Sequence, residues 1–354
     1  MKNCCYFLGG TSPDGFRTSF GDTIYNTDYR TYIIKGGPGT GKSSLMKRIA
    51  SAFPKAEKEF YYCSSDPDSL DAVVFTKSRV VLVDGTAPHT FEPEYPGAVQ
   101  QLVDLGSCWN SKMLQKNKPE IISKTTDYLH HHGICRRYVT AISSVVDDIM
   151  QIGKIALNDE KLEGFTERFA KKILPKKQEC EEGNILYRQL SALTPKGYVT
   201  NIPQGYTIYL LNDNLYHGSE LFLRRFSEIA ALKGYDVCVS MITILNGHRF
   251  EHIFIPELQI AIMTATPINE LDIAEKQLIN FRRFYDKNVV RQRKTRIKFN
   301  HSAVEEFRDE AVKALSNAKV EHDLLEAYYI KNIDFDKVNI IAEELEKELR
   351  QIIR

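Results

Sequence analysis

The run Gly36-Gly37-Pro38-Gly39-Thr40-Gly41-Lys42-Ser43 constrains the fold more than any other part of the chain. It satisfies G-x-x-x-x-G-K-[ST], a loop whose glycines turn backbone N–H groups inward, in conformations that a side chain forbids. The apolar segment Thr31–Lys35 precedes it. Ser44–Phe53 follows, with Leu45, Met46, Ile49 and Ala50 at helical spacing. Strand, glycine-rich loop and amphipathic helix in this order predict an α/β sheet with the loop at the carboxyl end of a strand.

The residue types suit a nucleoside triphosphate. Gly36, Gly37, Pro38, Gly39, Thr40, Gly41, Lys42, Ser43 and Ser44 are the expected nucleotide-binding residues, with Lys42 on the β- and γ-phosphates. Ser43 would ligate magnesium, and the helix N-terminus would favour the anion. A distal carboxylate is also needed. Arg79-Val80-Val81-Leu82-Val83-Asp84 is an apolar strand ending in an acid, so Asp84 is the second expected metal residue. Gly85 follows it, where many hydrolases carry Glu. A base is therefore sought in Asp66, Asp68 and Asp71, which come after the strand Glu59–Cys63 and should emerge at the ligand-binding edge. A plain turn and cap is the competing reading of these aspartates, and His89 is a further candidate. The catalytic set is then Lys42, Asp84, Asp66, Asp68 and Asp71. Asp84-Gly85-Thr86-Ala87 lacks the final Gly of D-x-x-G, and Asn117-Lys118-Pro119-Glu120 only imitates N-K-x-D, so ATP is favoured over GTP by default.

The chain also repeats itself. Ser12–Phe16 matches Thr194–Tyr198, an offset of 182; Tyr32–Ile34 matches Tyr209–Leu211, an offset of 177; Asp71–Phe75 matches Glu251–Ile255, an offset of 180. Val80–Val83 then falls on Ile260–Met263. Each half reads strand, loop, helix, strand, hairpin strand, strand, then a polar helical stretch, from about 110 to 174 and from about 270 to 354. Glu343/Lys347 and Glu346/Arg350 are opposite charges one turn apart in the latter. The expected fold is α/β, a P-loop NTPase-like sheet with flanking helices in two tandem copies, residues 1–178 and 185–354, each with a helical extension. Lys176–Asn184, charged and ending in Gly-Asn, is the expected linker. The second copy is degenerate. Gly36–Ser43 maps onto Asp213–Glu220, where only Gly218 survives, and Asp84 maps onto Thr264. Asp213 and Glu220 would repel phosphate, so one nucleotide per chain is expected.

With 354 residues the chain can form two cores, and a net charge of +1 provides no global field to recruit nucleic acid or a membrane. No apolar run reaches bilayer length. Seven cysteines without a C-x-x-C pair suggest reduced thiols and a cytoplasmic protein. His132/Cys135 and His248/His252 are half-signatures for zinc without second pairs, and His248 and His252 read as one face of a strand. His130-His131-His132 reads as a loop or helix end. Arg282, Arg283 and the run Arg291–Lys298 could hold a polyanion or reach a γ-phosphate, but a solvated helix face is the simpler reading. Arg136 and Arg137 are candidate fingers.

Three segments together resemble a known family: Ile33–Ser43, Cys63–Asp71 and Asp84–His89, with Ile255-Pro256-Glu257-Leu258 further on. The chain resembles bacterial tandem P-loop proteins described as ATPases or as nucleotide-kinase-like proteins, over essentially its whole length. Members of that family can carry a P-loop in both halves; this chain departs from the pattern in the second. The resemblance implies ATP and Mg2+ and names no substrate.

Three functions follow as expectations: Mg-dependent ATP hydrolysis, transfer of the γ-phosphate to a small acceptor such as a nucleotide, or a nucleotide-dependent switch with little turnover. The absence of an obvious base favours the switch or a hydrolysis stimulated by a protein partner.

Overall fold

The structure, a computed structural model, describes residues 4–177 and 181–353. The first repeat runs β1 (Cys4–Phe7), β2 (Gly9–Ser12), β3 (Gly15–Thr18), α1 (Gly21–Ile24), β4 (Arg30–Lys35), α2 (Lys42–Ala52), β5 (Lys58–Tyr62), β6 (Leu70–Phe75), β7 (Val80–Asp84), β8 (Gln100–Asp104), α3 (Ser111–Lys116), α4 (Lys118–Ala156) and α5 (Asp159–Ile173). The second runs β9 (Ile185–Tyr187), β10 (Ser191–Thr194), β11 (Gly197–Thr200), β12 (Thr207–Asn212), α6 (His217–Leu232), β13 (Val237–Met241), β14 (Phe250–Ile255), β15 (Ile260–Ala265), β16 (Gln277–Asn280), α7 (Lys287–Gln292), α8 (Lys294–Ile330) and α9 (Phe335–Ile352). No described helix is long and apolar enough to cross a membrane.

The strand orders are the same: β1-β5-β6-β7-β4-β8 in one mixed six-stranded sheet and β9-β13-β14-β15-β12-β16 in the other. The registers agree with the sequence alignment. Arg30 pairs with Val80 and Thr207 with Ile260, so the offsets of 177 and 180 hold strand against strand. Sequence periodicity missed the edge strands. β8 and β16 are short and partly polar, Gln-Gln-Leu-Val-Asp and Gln-Leu-Ile-Asn, and β16 lies in the stretch read as helical from about 270. The second long helical stretch begins only at Lys287. Residues 178–180 of the expected linker lie outside the described residues; on one side Lys177 pairs with Glu257, and on the other Gly183 donates to the Ala231 carbonyl.

The central strands are apolar on both faces, as a sheet covered on both sides requires. Ile33, Val81 and Val83 point to one side and meet Leu210, Ala261 and Met263 of the other sheet. The two sheets therefore stack face to face. On the outer side of the first sheet, Tyr32 and Ile34 join Leu45, Met46 and Ile49 of α2. Tyr209 and Leu211 join Phe222 and Phe226 of α6 on the outer side of the second.

Neither repeat completes its own outer layer. The helix over α2 and the first sheet is α9, through Val338, Ala342, Leu345 and Leu349, and Tyr32 donates to Glu348 at 2.6 Å. The helix over α6 is α5, where Phe169 meets Tyr209 edge-on with centroids 4.9 Å apart. The exchange follows from length. α4 has 39 residues and α8 has 37, each roughly 55–58 Å long at 1.5 Å per residue. They pack along one another in opposite directions, with Lys124 on Glu321 near one end and Arg296 on Asp148 near the other. Each thus carries the chain across the molecule and delivers the next helix to the other repeat. Matched hydrogen bonds close both crossings, Asn110 N–H to the Asn332 carbonyl at 2.7 Å and Asp286 N–H to the Ala156 carbonyl at 2.7 Å.

Candidate functional site

β4 and β7 are parallel neighbours with Ile34 opposite Asp84, so the loop leaving β4 and the end of β7 emerge together. The loop turns through Gly39, at φ +68°, and α2 starts at Lys42, immediately after Gly41. Lys42 Nζ donates to the carbonyls of Gly36 at 3.0 Å and Gly37 at 2.8 Å and lies 3.5 Å from Asp84 Oδ2. Thr40 Oγ1 closes the turn on the Gly37 carbonyl. Ser43 Oγ accepts the Leu70 N–H at 3.0 Å, which ties the loop to the start of β6, while Ser44 is exposed. Asp84 Oδ1 accepts from Thr86 N–H at 2.9 Å and Thr86 Oγ1 at 2.6 Å, so its second oxygen faces Lys42. Gly85 has a steric cause: a Cβ there would lie 2.3 Å from Ile33 Cγ2. No second acid can follow Asp84 in this packing.

The three aspartates after β5 separate. Asp66 accepts from Ser69 Oγ at 2.8 Å in a turn and lies 3.8 Å from Lys319 of α8. Asp68 is exposed and pairs with Lys196, from the β10–β11 turn, at 3.0 Å. Such a surface pair contributes little. Asp71 alone is buried. Its Oδ2 lies 3.3 Å from His89 Nε2, while His89 Nδ1 lies 3.1 Å from the Asp84 carbonyl. Burial acts to lower the His89 pKa, but Asp71 and Asp84 outweigh it and hold the imidazolium above its usual range. The His89 ring sits between Phe16 and Phe91. Asp71 and His89 thus form a buried pair directly behind the Lys42–Asp84 contact.

The second repeat covers this mouth. Glu326 Oε1 of α8 accepts the Gly39 N–H at 3.1 Å, and a Cβ on Gly39 would lie 2.8 Å from Ile330 Cγ1. Tyr329 lies tilted against Trp109 beside Gly37, with ring centroids 5.7 Å apart. Tyr128 of α4 faces His322 of α8 across the helix pair. Lys196, Lys319, His322 and Glu326 carry no local motif. They sit in stretches that read as an ordinary hairpin and a solvated helix; the crossing of α8 brings the last three here, and the β10–β11 turn of the second repeat brings Lys196.

The equivalent loop of the second repeat is closed from within. Asp213 is buried and accepts Leu215 N–H at 3.0 Å and Ser219 N–H at 2.8 Å. Tyr285 OH donates to both its oxygens and accepts the Gly218 N–H at 2.8 Å. Burial pushes the Asp213 carboxyl up; the N–H groups of Ser219 and Leu215 and the Tyr285 hydroxyl oppose it. Asp71 and His89 have counterparts in Glu251 and Asn269, joined at 2.8 Å. Glu220 pairs with Arg224 instead of facing the loop centre.

Other candidates disperse. Cys135 is buried in the core, and His132 packs on Tyr128 within α4 rather than in a loop. His248 is exposed in the loop before β14, while His252 is fully buried and accepts the Thr264 N–H, so the two do not share a strand face. Arg296 pairs with Asp148, and the run 291–298 lies some thirty residues along α8 from Glu326, about 45 Å at helical rise, so it does not reach the Gly36–Ser43 loop. Arg136 and Arg137 are exposed on α4. The six described cysteines are free thiols. Among the described residues one trio of metal-capable side chains, His322, Asp323 and Glu326, lies within 4.8 Å; Lys319 already pairs with Asp323 there. The chain matches no protein-family model, no curated protein and no solved structure.

Proposed function

We propose that the chain is an ATP-binding P-loop protein whose first repeat hydrolyses Mg·ATP and whose second repeat binds no nucleotide. The observation that carries this reading is the Lys42–Asp84 contact at 3.5 Å, made at the end of two parallel neighbouring strands by a G-x-x-x-x-G-K-S loop. Lys42 would leave the Gly36 and Gly37 carbonyls for the β- and γ-phosphates. The oxygen-only pair Ser43 and Asp84 fits a hard divalent cation and would hold Mg2+, which supplies charge neutralisation to the phosphates when bound. Asp71 and His89 are the nearest buried acid–base pair, and through the bond of His89 to the Asp84 carbonyl they would fix the main chain that carries Asp84. Asp66 and Asp68, engaged in a turn and in a surface pair, have the weaker case.

Titration of the chain with a non-hydrolysable ATP analogue and magnesium tests the reading, beside ADP release from ATP. Absence of binding in wild-type protein overturns it. A second reading, a nucleotide-dependent switch with slow turnover, is favoured by one contact: α8 of the second repeat lies directly on the loop through Glu326 and Gly39. Binding without measurable ADP release selects it.

A further inference from the structure

Both loops are engaged by a carboxylate, from different sources. In the second repeat the acid is Asp213, part of the loop itself and held by two backbone N–H groups and Tyr285. In the first repeat the acid is Glu326, from a helix that belongs to the other repeat, and it accepts one N–H, that of Gly39. The same face of α8 carries Tyr329 and Ile330 onto Gly37 and Gly39, and, two turns earlier, Lys319 toward Asp66. A carboxylate oxygen on a loop N–H has the chemistry of a phosphate oxygen there: anionic, and an acceptor from the same donor.

We propose that Glu326 competes with the nucleotide phosphates for the Gly36–Ser43 loop, so that this side chain sets nucleotide affinity and α8 shifts when phosphates enter. The inference rests on the nucleotide reading above. Gly39 has one N–H, which cannot point linearly at Glu326 and at a phosphate oxygen together. The two acceptors also carry charge of the same sign. Asp213 cannot leave in this way, because it is buried and anchored at both oxygens. Glu326 can leave, because its single loop contact is made from a separate element. α8 pairs with α4 along its length, and Asn332 just beyond it bonds Asn110. A shift of α8 therefore carries α4 with it.

Calorimetric titration of the full chain with magnesium and a non-hydrolysable ATP analogue tests the proposal. Glu326→Gln, which keeps size and helix propensity, and Glu326→Ala should each bind at least five-fold tighter than wild type. Glu321→Ala, which loses only the Lys124 pair of the same helix, should bind as wild type does. Trp109, the single tryptophan of the chain, has its ring 5.7 Å from Tyr329 and reports the position of α8. Its emission should change on titration, and Glu326→Ala should start nearer the nucleotide-bound spectrum. Equal or weaker binding by both Glu326 variants, or an equal gain in Glu321→Ala, overturns the competition while leaving the nucleotide reading intact. No binding by any protein, wild type included, overturns the nucleotide reading and the competition with it.

Discussion

Lys42 Nζ and Asp84 Oδ2 lie 3.5 Å apart, with side chains only 11% and 12% exposed. Both charges stand at the carboxyl end of the neighbouring strands β4 and β7, where α8 of the second repeat lies on the loop. Lys42→Ala should abolish nucleotide binding, lowering affinity at least 100-fold, while the fold survives. The stability cost should be about 1.5–3 kcal/mol, the range for losing hydrogen bonds made by a charged group, here those from Lys42 to the Gly36 and Gly37 carbonyls. Calorimetry on a variant with a wild-type circular dichroism spectrum decides this; micromolar binding would sink the assignment.

Asp84→Asn separates binding from turnover. The amide oxygen can still accept from Thr86 N–H and Oγ1, so the turn is kept. The charge beside Lys42, and beside the proposed magnesium, is lost. Nucleotide should bind within about ten-fold of wild type, and ADP release should fall about 100-fold or more. Unchanged turnover would remove Asp84 from the metal site.

One nucleotide per chain is the expected stoichiometry. Two unit charges about 5 Å apart at an effective dielectric of about 20 repel by about 3 kcal/mol, and Asp213 holds the second loop from inside. Equilibrium titration reads the number directly. A value near two, with one site surviving Lys42→Ala, would show that the second repeat binds after all.

The exchanged helices make the halves interdependent. Residues 1–177 lack α9, whose Val338, Ala342, Leu345 and Leu349 complete the first outer core. At roughly 1.5–3 kcal/mol for each buried large side chain, and less for alanine, that loss is comparable with the whole margin of about 5–15 kcal/mol that a domain has. Each half expressed alone should be largely unfolded or aggregated, and co-expression should recover a one-to-one complex. A monomeric, cooperatively melting first half would contradict the exchange.

Two buried groups of the second repeat give stability opposite pH dependences. Burial raises the Glu251 carboxyl to about 7 from its ordinary 4.5, so its contribution is complete below about pH 4.5 and is lost as pH rises through 7. Burial lowers His252 to about 3 from 6.5, so its contribution is present above 6.5 and is lost as pH falls toward 3. Glu251→Gln should therefore melt higher than wild type at pH 8 by more than it does at pH 5, with an effect of up to about 3 kcal/mol. Thermal melts at the two pH values check this; an equal change at both would mean that Glu251 does not titrate with folding.

Local order determined much of the molecule. Thr31–Lys35, the Gly36–Ser43 loop and the helix after it, the strand ending in Asp84, and the second copy at offsets near 180 are all written in short-range patterns of apolar spacing, glycine and charge. Those patterns act within a few residues, so one chain suffices to read them. The face-to-face sheets, the exchange of α5 and α9, the arrival of Glu326 at the first loop, and that of Lys319 and Lys196 at the Asp66–Asp68 turn are decided only in the tertiary structure. The reason is geometric. A helix of 37 residues specifies its own axis and apolar stripe, but which loop its last turns meet depends on how α4 and α8 align and on which sheet lies beyond them. Asp71 shows the same division: its place after a strand is local, while its pairing with buried His89 exists only because β6 and β7 stand side by side.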